Sequence, residues 1–95
     1  RKDLLIFKGE EFGDDIDKIG YLAFQNYNSE LPKENQLILS ESGDYKEAAK
    51  NLFAFLRLLD EKEITTIYTH LMPEHGLGLA INDKLRRAAY KVQPH

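Results

Sequence analysis

Residues 44–62 read DYKEAAKNLFAFLRLLDEK, and this stretch decides the fold. Apolar side chains recur at Tyr45, Ala48, Ala49, Leu52, Phe53, Phe55, Leu56 and Leu59, the i, i+3, i+4, i+7 spacing of a helix with a wide buried face. Asp44 and Glu47 form a D-x-x-E capping box, in which Asp44 accepts from a first-turn amide and Glu47 reaches back to the cap. Such a helix needs an apolar surface to cover. Four short runs supply it: DLLIF (3–7), IGYLAF (19–24), QLILS (36–40) and ITTIYTH (64–70). The first three are nearly continuous in apolar residues, as strands covered on both faces of a largely parallel sheet are. A second helix is predicted over 78–92. It sets Leu77, Ala80, Ile81, Leu85, Ala88, Ala89 and Val92 on one face and Lys84, Arg86, Arg87 and Lys91 on the other, the cations lying toward the end that the helix dipole favours.

The segments 8–18 (KGEEFGDDIDK) and 25–35 (QNYNSELPKEN) are rich in Gly, Pro, Asn and acid and read as turn and loop, with room for one helical turn in each. The order β-β-β-α-β-α with right-handed crossovers predicts an α/β fold: a small three-layer, Rossmann-like domain with a mostly parallel sheet of about four to five strands and two long helices. Helices are expected on both faces, and an antiparallel edge strand is open.

Ninety-five residues, 42% of them hydrophobic, make one domain spanning 1–95. A net charge of -3 excludes the overall positive field of a dedicated DNA binder, so any nucleic-acid contact must be local. Cysteine is missing, which removes disulfides, thiolate nucleophiles and Cys-based metal sites and makes a reducing, cytoplasmic setting the expectation. No apolar run reaches the ~18 residues of a membrane span. The first residue is Arg1 and the one methionine is Met72, so the chain is expected to be a part of something longer.

Ligands of open parallel sheets gather at the carboxyl ends of the strands. Two segments lie there. One holds Ser40 and Ser42 before the first long helix, and the other, HLMPEHGLG (70–78), brings Gly76 and Gly78 to the start of the second. Both offer backbone amides at a helix N-terminus, and these four residues are the candidates for binding an anion. The competing reading is that the serines and Asp44 cap a helix and the glycines make a tight turn. Gly76-Leu-Gly78 opens like a dinucleotide fingerprint, but Ile81 stands where Gly or Ala is required, and no phosphate-loop motif occurs. His70, Glu74 and His75 offer metal-ligand atoms, but Pro73 prevents a helix from aligning them, and no metal is expected. The acids Glu10, Glu11, Asp14, Asp15 and Asp17 lack calcium-loop spacing and read as a solvated turn. Lys84, Arg86, Arg87 and Lys91 could meet RNA phosphates or a neighbouring acidic domain. No catalytic constellation is found.

The stretch 48–89, AAKNLFAFLRLLDEKEITTIYTHLMPEHGLGLAINDKLRRAA, resembles the C-terminal accessory domain of the long, two-domain form of threonylcarbamoyl-AMP synthase. Two linked blocks carry the resemblance. One is A-x-x-L-[FY]-x-x-L-R-x-[LF]-D, present with Leu52, Arg57 and Asp60. The other is G-[LI]-G-x-A-[IV]-x-[DN]-R-L-x-[RK]-A-A, present with Ala80, Asp83 and Leu85, where Lys84 replaces the usual Arg. The resemblance implies a non-catalytic domain, with Leu52, Arg57, Asp60, Ala80, Asp83 and Leu85 in structural roles and the Arg57, Asp60, Asp83 and Arg87 positions tying the two helices and the glycine turn together. It also implies partners in the same longer chain: a YrdC-like catalytic domain and a linker that folds over its active site. That domain would use ATP, with Mg, to make threonylcarbamoyl-adenylate from L-threonine and bicarbonate for tRNA modification, and no cofactor is expected in the present fragment. The usual H-Y-x-P of the linker is missing, consistent with a cut just before Arg1. Transfer RNA is a possible partner, and the alternative is an independent Rossmann-like module for a small ligand or RNA.

Overall fold

A computed structural model describes residues 3–9, 11–12 and 15–92, the last three of these by backbone alone. Each apolar run becomes a strand with its ends trimmed: β1 (Asp3–Ile6), β2 (Ile19–Ala23), β3 (Gln36–Ile38) and β4 (Thr66–Thr69). The periodic segments become α1 (Tyr45–Asp60) and α2 (Leu77–Val92). Both irregular segments do contain one helical turn, a 3-10 turn at Ile16–Lys18 leading into β2 and another at Lys33–Asn35 leading into β3.

The sheet has four strands in the order β1-β4-β2-β3, and every pair is parallel. No strand pairs antiparallel among the described residues. Asp3 lies opposite Thr66, Ile19 opposite the same Thr66, and Tyr21 opposite Gln36.

Strand alternation sorts the sheet's side chains into two clusters. Leu4, Leu22 and Ile67 face Ala48, Leu52 and Leu59 of α1 and Ile81, Leu85 and Ala89 of α2, forming the larger core. Ile19, Tyr21 and Ala23 face the other way and are covered by Leu31, with Phe12, Ile38 and Tyr68 packed around them. The layers are therefore filled differently from the expectation: both helices share one face, and the irregular connections cover the other. The strand order explains this. The steps β1 to β2 and β2 to β3 run in one direction across the sheet, whereas β3 to β4 returns through α1. Connections of one hand that step in opposite directions must run over opposite faces. No described helix is long and apolar enough to cross a membrane.

Candidate functional site

The carboxyl edge of the sheet is where residues 39–44 meet residues 70–78, between the N-termini of α1 and α2. Asp44 caps α1 as its position predicts, accepting from the Lys46 amide at 2.9 Å. The second half of the capping box is relayed. Ser40, 1% exposed at the end of β3, accepts from the Asp44 amide at 2.8 Å and donates to Glu47 Oε1 at 2.5 Å, so Glu47 reaches the cap through the serine hydroxyl. Ser42 Oγ lies 3.2 Å from the same hydroxyl. Ser40 and Ser42 thus lie together, but the Ser40 hydroxyl is committed to a carboxylate and an amide of its own helix.

The second segment is fastened by a residue that the motif reading did not single out. Asn82, fully buried on α2, accepts from the Met72 amide at 2.6 Å and donates to the Met72 carbonyl at 2.7 Å. One side chain thereby completes both backbone groups of a loop residue, much as a neighbouring strand would. The signal was present: positions 78, 82, 85 and 89 form the inward stripe of α2, and Asn82 is its one amide. Gln36, 3% exposed, does the same on the opposite face, accepting from the Asn28 amide at 2.8 Å and donating to the carbonyls of Asn28 at 2.8 Å and Leu31 at 3.0 Å.

The two glycines have different roles. Gly76 has φ +57 in the left-handed region and open space around it, so it turns the chain. Gly78 is buried where a Cβ would strike the Pro73 carbonyl oxygen and crowd Tyr45 and Met72, so it allows the loop and α1 to approach. The amides of Gly78 and Leu79 donate to the carbonyls of His75 and Gly76 at 3.1 and 3.2 Å. Two of the amides at this helix start are therefore engaged by the turn itself.

His70, Glu74 and His75 diverge. The Tyr21 hydroxyl is hydrogen-bonded to His70 Nδ1, on the face away from the helices, and the imidazole lies edge-on to Phe7 at 5.0 Å. Phe7 in turn stacks on Phe12 at 4.7 Å, and both meet Tyr68 edge-on. Burial pushes the Tyr21 phenol up to about 12. Glu74 instead accepts from Arg86 at 2.6 Å on α2. That hydrogen bond, aided by Asn82, holds its carboxyl below the usual carboxylate range, and Glu74 raises Arg86 in return. Among the described residues no three acidic or imidazole side chains gather around a point that could hold a metal ion. Of the acidic turn, Glu10 and Asp14 lie outside the described residues; Glu11, Asp15 and Asp17 are exposed.

The basic residues of α2 separate in the same way. Arg86 is held by Glu74, Arg87 pairs with Asp83 one turn back at 2.9 Å, and Lys84 lies over the Phe53 ring of α1 at 5.8 Å. The side chain of Lys91 lies outside the described residues. Of the block residues, Leu52 and Leu85 are fully buried in the same core, whereas Arg57, Ala80 and Asp83 are exposed and Asp60 is half-buried at the end of α1. The Asp83–Arg87 pair stays within α2, whereas Lys84 over Phe53 crosses between the helices.

Compared with known families, residues 3–90 match the model described as threonylcarbamoyl-AMP synthase, C-terminal domain. No curated protein and no solved structure gives a match.

Proposed function

The chain belongs to the family of threonylcarbamoyl-AMP synthase C-terminal domains, and from that premise we propose that it is a non-catalytic accessory domain. The synthesis of threonylcarbamoyl-adenylate from L-threonine, bicarbonate and ATP, with its Mg, is the work of a YrdC-like domain in the same longer chain, in the cytoplasm. The present domain positions the linker that covers that active site. The match over residues 3–90 carries this reading, because it takes in all four strands and both helices nearly whole.

The polar side chains at the carboxyl edge support it. Ser40, Asn82 and Glu74 each hold a piece of this domain's own backbone or a neighbouring side chain. An edge so fastened is a rigid platform, suited to presenting a fixed surface to another domain.

The test is synthesis of the adenylate from threonine, bicarbonate and ATP by three samples: the chain alone, the YrdC-like domain alone, and the two mixed. The expected outcome is no turnover by the chain and a higher rate for the mixture than for the catalytic domain by itself. Turnover by the chain alone would overturn the division of labour.

A further inference from the structure

The two helices lie side by side, and their outward stripes repeat the same composition. On α1 the positions two residues before the inward-facing 48, 52, 55 and 59 are Lys46, Lys50, Phe53 and Arg57, all exposed. On α2 the positions two residues after the inward-facing 78, 82 and 85 are Ala80, Lys84 and Arg87, again all exposed. A two-residue offset is about 200° around a helix, so these stripes point away from the core. The α1 row contains no acid, and on α2 the exposed Asp83 shares the outer face, paired with Arg87. Lys84 over the Phe53 ring brings the two rows together into one face.

The two helices carry seven cations, Lys46, Lys50, Arg57, Lys84, Arg86, Arg87 and Lys91, against three acids, Glu47, Asp60 and Asp83. Asp44 caps α1, Glu47 is bonded to Ser40, and Asp83 is paired one turn away with an Arg87 that stays largely in solvent. The opposite face of the sheet carries the connections that hold Glu11, Asp15, Asp17, Glu30 and Glu34, all exposed. These acids outnumber the exposed Lys8, Lys18 and Lys33 of the same connections, so the acidic balance of the chain lies in the loop layer and the cationic balance in the helix layer.

We infer that the joint outer face of α1 and α2, Lys46, Lys50, Phe53, Arg57, Lys84 and Arg87, is a binding surface for the phosphate backbone of RNA. Rows of cations on adjacent helices meet successive phosphates, and the half-exposed Phe53 among them gives an unpaired base a ring to stack on. Aromatic and cationic groups in one surface favour RNA over an acidic polypeptide, which has charge but no bases. The choice of tRNA as the probe rests on the accessory-domain reading; the surface itself does not.

The experiment is fluorescence anisotropy of a labelled, unmodified tRNA transcript titrated with the 95-residue chain across a salt series, with polyglutamate as a competitor. Affinity is expected to fall linearly on a log–log plot against salt. Lys50→Gln and Lys84→Gln should each weaken binding several-fold and reduce the slope by about one contact. Phe53→Ala should weaken tRNA binding about tenfold without changing the slope. Lys33→Gln, in the loop layer, should change neither, and unaltered helical circular dichroism confirms that the variants are folded. The inference is overturned if tRNA does not bind at low salt, if the stripe substitutions leave binding intact, or if polyglutamate competes as well as tRNA per unit charge. Any of those results leaves the activity test of the accessory role standing, and failure of that test leaves the salt series standing.

Discussion

Asn82 and Met72 form a closed ring of two hydrogen bonds, side-chain amide against backbone, at the point where the chain leaves β4 and enters α2. Asn82→Ala strands a buried N–H and a buried C=O at once, at a cost of about 1–3 kcal/mol for each group left unmade. For a domain this small the melting temperature should fall by roughly 10 °C or more. Asn82→Asp keeps the acceptor but loses the donor and buries a charge, so it should be at least as damaging. Thermal melts of the two variants at neutral pH measure both.

Gly78 and Gly76 should respond to alanine in opposite order from their φ angles. Gly76→Ala meets open space and bears only the left-handed strain of about 1–2 kcal/mol. Gly78→Ala has no backbone strain of that kind but drives a methyl group into the Pro73 carbonyl, which is backbone and cannot step aside. It should cost more than Gly76→Ala in urea unfolding, and Gly76→Asn should recover part of the Gly76 loss.

Tyr21 makes the fold sensitive to alkali. Its folded pKa of about 12 lies above the ordinary value of 10.0, so the native state binds the phenol proton more tightly than the unfolded chain does. This stabilisation is complete below pH 10 and is lost as pH rises toward 12, at about 1.4 kcal/mol per pH unit. Between those limits Tyr21→Phe should lose stability with pH less steeply than the parent, whatever its starting stability. Parallel slopes in denaturant titrations would show that the phenol is not responsible.

Ser40→Ala should be milder than the loss of an N-terminal cap, usually about 1 kcal/mol, because Glu47 can then reach the Asp44 amide directly. Glu47→Gln leaves the serine in place. The double variant should be more destabilised than the sum of the two single ones, and a double-mutant cycle reads that coupling.

Much of this architecture is legible in the chain. The 3.6-residue period from Tyr45 to Leu59 and the apolar runs locate all six long elements, because each is set by local burial along one segment. The strand order is not local: nothing near Asp3 says that it will lie opposite Thr66. The placement of both helices on one face depends on that order, so it was beyond reach too. At the carboxyl edge, residue types placed Ser40 beside the cap of α1 but did not reveal that its hydroxyl would be the relay to Glu47. Asn82 was hidden for a different reason. A lone amide in an apolar stripe has no partner in the sequence pattern, and its partner here is backbone, which leaves no mark on residue type.

The order β1-β4-β2-β3 has a temporal side. Every strand pair is parallel, so no hairpin can form early, and even the nearest partners, Tyr21 and Gln36, are separated by a loop. The first strand has one neighbour, β4, more than 60 positions further along. As the polypeptide emerges from the ribosome, Leu4, 3% exposed in the finished domain, stays uncovered until Thr66 to Thr69 have been made and α2 has followed. Contacts so remote slow the search for the native state. The earliest-made strand is the last to be housed, and the domain is most vulnerable to aggregation while its synthesis is nearly complete.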